Sequence, residues 1–188
     1  YARKGKFLVR TYDIERKSKT APLKLRKASK AEIDLLTGII LLETRGPVAA
    51  RPLLQKALKK LPGSSDAAAY NAYLHFNRNR FQDAAPLFQK AIENGKASPV
   101  TYLNHATSLL RAYNPKGHLL PNIHNETRTK EIVASLLEAR SRGGSFAPKL
   151  YHRLGELYLS TKLRVSGENM KLMLEGLKRY PRDDRIAF

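Results

Sequence analysis

The chain has no cysteine in its 188 residues. It therefore has no disulfide framework and no thiol chemistry, and cysteine usage leaves its compartment open. Long apolar runs are missing as well. The longest, Leu35–Leu42, is 8 residues and contains Thr37 and Gly38, against the roughly 20 that a membrane-spanning helix needs. Also missing are a His-Glu-x-x-His pair, a glycine-rich phosphate loop and a nucleophile elbow. Carboxylates are scarce: 16 acidic side chains face 35 basic ones, a net charge of +19. These absences argue against an enzyme and leave no catalytic, metal or cofactor residue to name.

The histidines do not change that reading. His118 and His124 share the stretch 114–126 with Glu126, but two histidines six apart in a proline-broken loop have no ligand spacing. His75 and His105 fall in helical patterns and read as packing or groove residues. The chain opens at Tyr1 with neither a methionine nor a signal-like segment, which reads as a processed product or a piece of something longer.

What is present is a period. Residues 50–58 read ARPLLQKAL and residues 84–92 read AAPLFQKAI, 34 positions apart. Gly38, Ala72 and Ala106 keep the same spacing, and Gly155 follows after one more repeat plus 15 inserted residues. Small residues inside apolar helical patterns let helices approach closely, and self-similarity at this period marks stacked helical hairpins. ALKKLPGSSDA (57–67) and GLKRYPRDDRI (176–186) also correspond, each with a proline just past a helix stop.

Boundary signals predict helices near 30–44, 47–60, 66–78, 81–94, 99–112, 129–142, 148–161 and 167–180. Ser29 and Glu32 form a capping box. Pro99 and Pro148 suit a first helical position. Gly46-Pro47 separates two helices, while Gly95 and Gly143-Gly144 read as stops. Pro52 and Pro86 fall inside their helices at the same repeat position, as part of the unit's shape.

These residues resemble the tetratricopeptide repeat (TPR) family, a 34-residue helix–turn–helix unit. The match rests on Ala50, Leu54, Ala57 and Pro62; on Phe81, Ala84, Phe88 and Ala91; and on Tyr151, Leu154, Gly155, Tyr158 and Pro181. Two positions depart from the pattern: Asp34 stands where an aromatic is usual, and Gly176 where alanine is expected. The resemblance implies an all-α, right-handed α-solenoid of about four hairpins over 29–188. Its units fall near 31–64, 65–98, 99–147 and 148–186, with an insert at 113–128 in the third. That insert reads either as a tolerated insertion or as a functional loop.

Charge is uneven along the chain. Residues 1–30 hold 11 basic and 2 acidic side chains. The leader, 1–28, carries Arg3, Lys4, Lys6, Arg10, Arg16, Lys17, Lys19, Lys24, Arg26 and Lys27. It suits the phosphates of RNA or an acidic surface, or it is a solvated basic segment. Alternation over Phe7–Tyr12 and 22–26 predicts an extended leader or a short β-hairpin. The stretch 24–38 also resembles the junction in some large exported bacterial proteins, where a zinc-peptidase-like domain precedes a TPR tail.

In TPR proteins the first helix of each hairpin lines a concave groove. Carried onto this chain, that implies groove positions at Tyr73, Phe76, Asn77, Thr107, Leu110, Arg111, Lys149 and His152. Leu35, Ile39, Ala69, Leu103 and Glu156 belong to the same faces. The family's clamp for C-terminal carboxylates needs lysine and asparagine where this chain has Leu35/Ile39, Ala69/Tyr73 and Leu103/Thr107, so that clamp is absent. Three functional readings follow. The first is a non-catalytic protein-interaction module or scaffold holding a peptide or partner helix. The second is an RNA-associated repeat protein, such as an organellar ribosome component, anchored by its leader. The third is the TPR tail of an exported bacterial peptidase-like protein. Partner, oligomeric state and compartment, exported bacterial or organellar, stay open.

Overall fold

The computed structural model describes residues 2–4, 7–9, 27–113, 126–143, 147–161 and 165–186. The chain forms two compact units, Tyr1–Leu61 and Pro62–Phe188. Both are built from antiparallel helical hairpins, as the period requires.

Unit one begins with β1 (Ala2–Lys4) and β2 (Phe7–Val9), paired antiparallel with Arg3 opposite Leu8. This is a different pairing from the one expected: Phe7–Val9 pairs with the residues just before it. The segment 22–26, predicted as its partner, lies outside the described residues. Next come α1 (Lys30–Arg45) and α2 (Pro47–Lys60). The Ser29 Oγ accepts from the Glu32 amide at 3.2 Å, and Glu32 Oε2 accepts from the Ser29 amide at 2.8 Å. Both bonds of the predicted capping box are formed, satisfying two otherwise orphan donors. The break between the helices is Gly46 at φ 80°, a left-handed conformation that costs a residue with a Cβ but not glycine.

The two helices meet through small residues. Leu35 and Gly38 are buried on α1, and Ala50, Leu54 and Ala57 on α2. A Cβ on Gly38 would lie 2.8 Å from Leu54 Cδ2 and 3.3 Å from the Leu54 backbone nitrogen, so the glycine is what lets Leu54 seat. Asp34, the missing aromatic of the family pattern, pairs with Lys56 Nζ of α2 at 2.9 Å. An ion pair thus joins the two helices of this hairpin.

Unit two holds α3 (Ser65–Phe76), α4 (Phe81–Glu93), α5 (Pro99–Tyr113), α6 (Glu126–Ser141), α7 (Ala147–Leu159) and α8 (Gly167–Arg179). All eight predicted helices are present. The largest difference is at α6, which starts three residues before the predicted position. Glu126 occupies its first turn, where a carboxylate is favoured by the helix dipole. Gly95 and Gly143 both take φ 79°, as helix stops should. Both α2 and α4 run through their internal prolines, Pro52 and Pro86.

Between α3 and α4, Phe88, Ala72 and Ala84 form a buried cluster with Tyr73, Phe76 and Leu87 against it. Phe76 meets Phe81 and Phe88 edge-on, at centroid distances of 5.5 and 6.0 Å. A larger core joins α4 to α8 through Tyr102, Leu109, Ile132, Leu136, Tyr151, Leu154, Leu172 and Ile186. Glu175 of α8 ties this core at its rim. Its carboxylate accepts from Tyr151 Oη of α7 at 2.9 Å and from Arg140 Nη2 of α6 at 2.6 Å. Gly176, where alanine was expected, lies against the Tyr151 ring; a Cβ there would be 2.6 Å from Cγ. The departure from the family pattern makes room for a large aromatic.

A candidate peptide cleft in unit two

The first helices of successive hairpins, α3, α5 and α7, are neighbours in unit two. They border a cleft of about 690 Å³. α3 contributes Phe76; α5 contributes Leu103, Asn104, Thr107 and Arg111; α7 contributes Lys149, His152, Arg153, Glu156 and Leu159. The turn after α8 closes one side with Asp184 and Arg185. The α7 residues recur at steps of three and four, which puts them on one helix face. An apolar wall from Phe76, Leu103 and Leu159 thus stands next to a charged one.

The charged wall is built around Glu156. Its Oε1 accepts from Arg111 Nη2 at 2.8 Å and its Oε2 from Arg153 Nη1 at 2.6 Å. One carboxylate is therefore shared by two guanidiniums, all three groups being a quarter to a third exposed. Lys149 is exposed and makes no ion pair among the described residues. Arg185 is also largely exposed, 3.6 Å from Asp183. Four cations thus face two lining carboxylates, Glu156 and Asp184. The cleft is net positive.

His152 fixes the closing turn. Its Nε2 lies 2.9 Å from Asp183 Oδ2, with both side chains mostly buried. Burial alone would raise the Asp183 carboxyl. Hydrogen bonds from His152 and the Arg185 amide outweigh it and hold the group below the usual carboxylate range. Behind the turn, Ile186 is fully buried and anchors it to the core. The repeat correspondence of 176–186 with 57–67 marked the proline stop here but gave no sign that the turn folds back onto α7.

Of the groove residues expected from the sequence, Phe76, Thr107, Arg111, Lys149 and His152 line the cleft. Three do not. Leu110 is buried in the core, because α5 is covered on nearly every face. Tyr73 packs against the Phe88 cluster, and Asn77 is the exposed C-cap of α3. Asn104, Arg153, Leu159, Asp184 and Arg185 were missed, although the three-and-four spacing from Lys149 pointed to Arg153. Of the leader's basic residues, Lys27 is exposed. Arg3 and Lys4 lie on β1, and the other seven fall outside the described residues.

His105 is buried and its Nδ1 lies 2.9 Å from Ser135 Oγ of α6. Burial pushes its pKa down to about 4. His75 stands 3.7 Å from Asp83. His118 and His124 lie outside the described residues, as does most of the insert. Among the described residues no group of three histidines or carboxylates is placed to hold a metal, and no helix is long and apolar enough to cross a membrane.

No protein-family profile matches the chain, and no curated protein sequence does. Among solved structures, a Thermobaculum terrenum O-GlcNAc transferase mutant aligns over 81% of this chain, with 14% identity and a TM-score of 0.58. The chain spans only 27% of that protein. YrrB, described as a TPR protein with an unusual peptide-binding site, aligns over 84% of this chain and 90% of its own, with 13% identity and a TM-score of 0.44. At such identities the likeness concerns fold alone. In fold, this chain resembles the tetratricopeptide repeat proteins.

Proposed function

We propose that the chain is a non-catalytic protein-interaction module whose unit-two cleft holds an extended peptide or a partner helix. The observation that carries this reading is the cleft itself: three successive first helices border one concavity with an apolar and a charged wall. A few polar groups set in an otherwise apolar concavity are what peptide recognition requires. Catalysis needs a nucleophile or base poised against a reacting atom, whereas the Glu156 carboxylate in the cleft is held by two guanidiniums. The basic leader makes a poor occupant, since its 10 cations against 2 carboxylates would meet like charge.

Peptide display tests the reading. Twelve-residue peptides retained by the wild-type chain should be lost by Asn104→Trp, which fills the cleft, at an unchanged melting temperature. Equal retention by both proteins, or no retention by either, would contradict it.

A second reading rests on unit one. There α2 carries the exposed Lys59 and Lys60 and no carboxylate, with Lys56 paired to Asp34, in the same unit as a strongly basic leader. Such a surface suits an RNA backbone, with affinity that falls linearly in log salt and is lost when residues 1–27 are removed. Weak binding that is unchanged by truncation would remove this reading.

A further inference from the structure

The cleft's electrostatics narrow its ligand, on the reading that it binds peptides at all. Arg111 and Arg153 come from different helices, α5 and α7, and converge on the single Glu156 carboxylate. Two guanidiniums held by one carboxylate leave one positive charge uncompensated at the cleft wall. Lys149 adds a second, exposed and without an ion pair among the described residues. On the opposite side Arg185 stands 3.6 Å from Asp183, which His152 also engages, and Asp184 adds a further carboxylate, so no positive surplus arises there. The surplus is therefore local, concentrated where α5 faces α7, beside the apolar Leu103, Phe76 and Leu159.

We infer that the cleft selects peptides with acidic side chains flanking an apolar residue, and that Glu156 sets this selectivity. The apolar residue lies on the Phe76 and Leu159 wall. The acidic side chain meets Lys149 and the outer edges of the two guanidiniums, each of which has donors left after its bond to Glu156. Glu156 acts as a built-in counter-ion. It keeps two cations close together without a ligand and lowers the affinity that an unopposed Arg pair would have for any anion.

The test uses the full chain at about 0.15 M salt, where long-range attraction to the +19 chain is screened beyond about 8 Å. The probe is an acetylated, C-terminally amidated twelve-residue peptide with one phenylalanine, one leucine and four glutamates among serines. Its counterpart carries glutamine in place of each glutamate. The acidic peptide should bind about tenfold tighter, a difference of about 1.4 kcal/mol. Glu156→Gln should widen that ratio several-fold by tightening the acidic peptide alone. Lys149→Glu, at an exposed position that does not threaten folding, should erase the ratio, while Lys171→Glu on α8 should leave it unchanged.

Equal affinity for both peptides, abolished by Asn104→Trp, would overturn the acidic selectivity while leaving peptide binding in place. An acidic preference that survives Lys149→Glu and Asn104→Trp would put binding on another basic face and overturn the inference. If neither peptide binds, the inference also fails, and display against the wild-type cleft then judges the wider reading separately.

Discussion

The hairpins α1–α2 and α3–α4 meet one packing demand in two ways. Residues 38 and 54 of the first correspond to residues 72 and 88 of the second, one 34-residue period later. In the first, Leu54 presses on a glycine so closely that a Cβ would sit 2.8 Å from its tip. In the second, Phe88 shares a buried cluster with Ala72, whose methyl is tolerated. A branched aliphatic needs the depth that a missing methyl provides, whereas a flat ring slides past one. Gly176 against Tyr151 is a third solution, with the glycine on the second helix and the ring on the first. The small residue of a repeat is thus readable only together with the side chain it faces.

The largest expected effect comes from truncating the ring. Phe88→Ala should cost about 3–5 kcal/mol and Leu54→Ala about 2–5 kcal/mol. Urea unfolding measures the size of each loss, and amide hydrogen exchange shows whether each stays within its own unit. Equal spread of both losses over both units would mean that the units do not unfold separately.

Acid separates the units next. Every histidine of the chain lies in unit two, and His105 titrates near 4, below its usual 6.5, because burial penalises the charged ring. The unfolded chain therefore takes up this proton more readily than the folded one. The stabilisation, about 3 kcal/mol, is complete above pH 6.5. It falls as pH drops through 6.5 towards 4 and falls no further below that. Hydrogen exchange at stepped pH should show α5 and α6 weakening in this window, and His105→Gln should flatten the response.

The glycine contacts come third. Gly176→Ala drives a methyl into the base of the Tyr151 ring, which cannot swing away, and should cost about 1–3 kcal/mol. Gly38→Ala meets the movable end of Leu54 and regains about 1 kcal/mol of helix propensity, so its loss should be smaller. In the double variant Gly38→Ala/Leu54→Ala, the loss should be smaller than the sum of the two single losses, because the clash disappears with the leucine. Strict additivity in thermal melts would show that the two residues do not press on each other. The smallest effect belongs to the cap. Ser29→Ala should cost about 1 kcal/mol, seen as faster exchange in the first turn of α1 with unit two unchanged.

Much of the fold was legible because its determinants are local. The Ser29–Glu32 box, Gly46-Pro47, and the paired motifs at 50–58 and 84–92 each specify a helix end or a helix face without distant information. The cleft was less legible. Periodicity separates core from groove only on a helix with one covered face, and α5 is covered on nearly all of its faces, so Leu110 and Arg111 looked alike in sequence. Asn104 was missed for the same reason. Asp184 and Arg185 reach the cleft only because Ile186 and the His152–Asp183 bond fold the last turn back, a long-range event with no short-range signature. The pairing of Arg111 with Glu156 spans 45 positions and becomes visible only once α5 and α7 are side by side.

The central claim is that the concavity bordered by α3, α5 and α7 is a peptide-binding surface. Amide chemical-shift mapping of the full chain, titrated with the acidic peptide, tests it most directly. The account expects shifts concentrated at Asn104, Arg111, Lys149, Arg153 and Leu159, with α2 unmoved. Shifts confined to α2 and the basic leader, with the cleft silent, would contradict it.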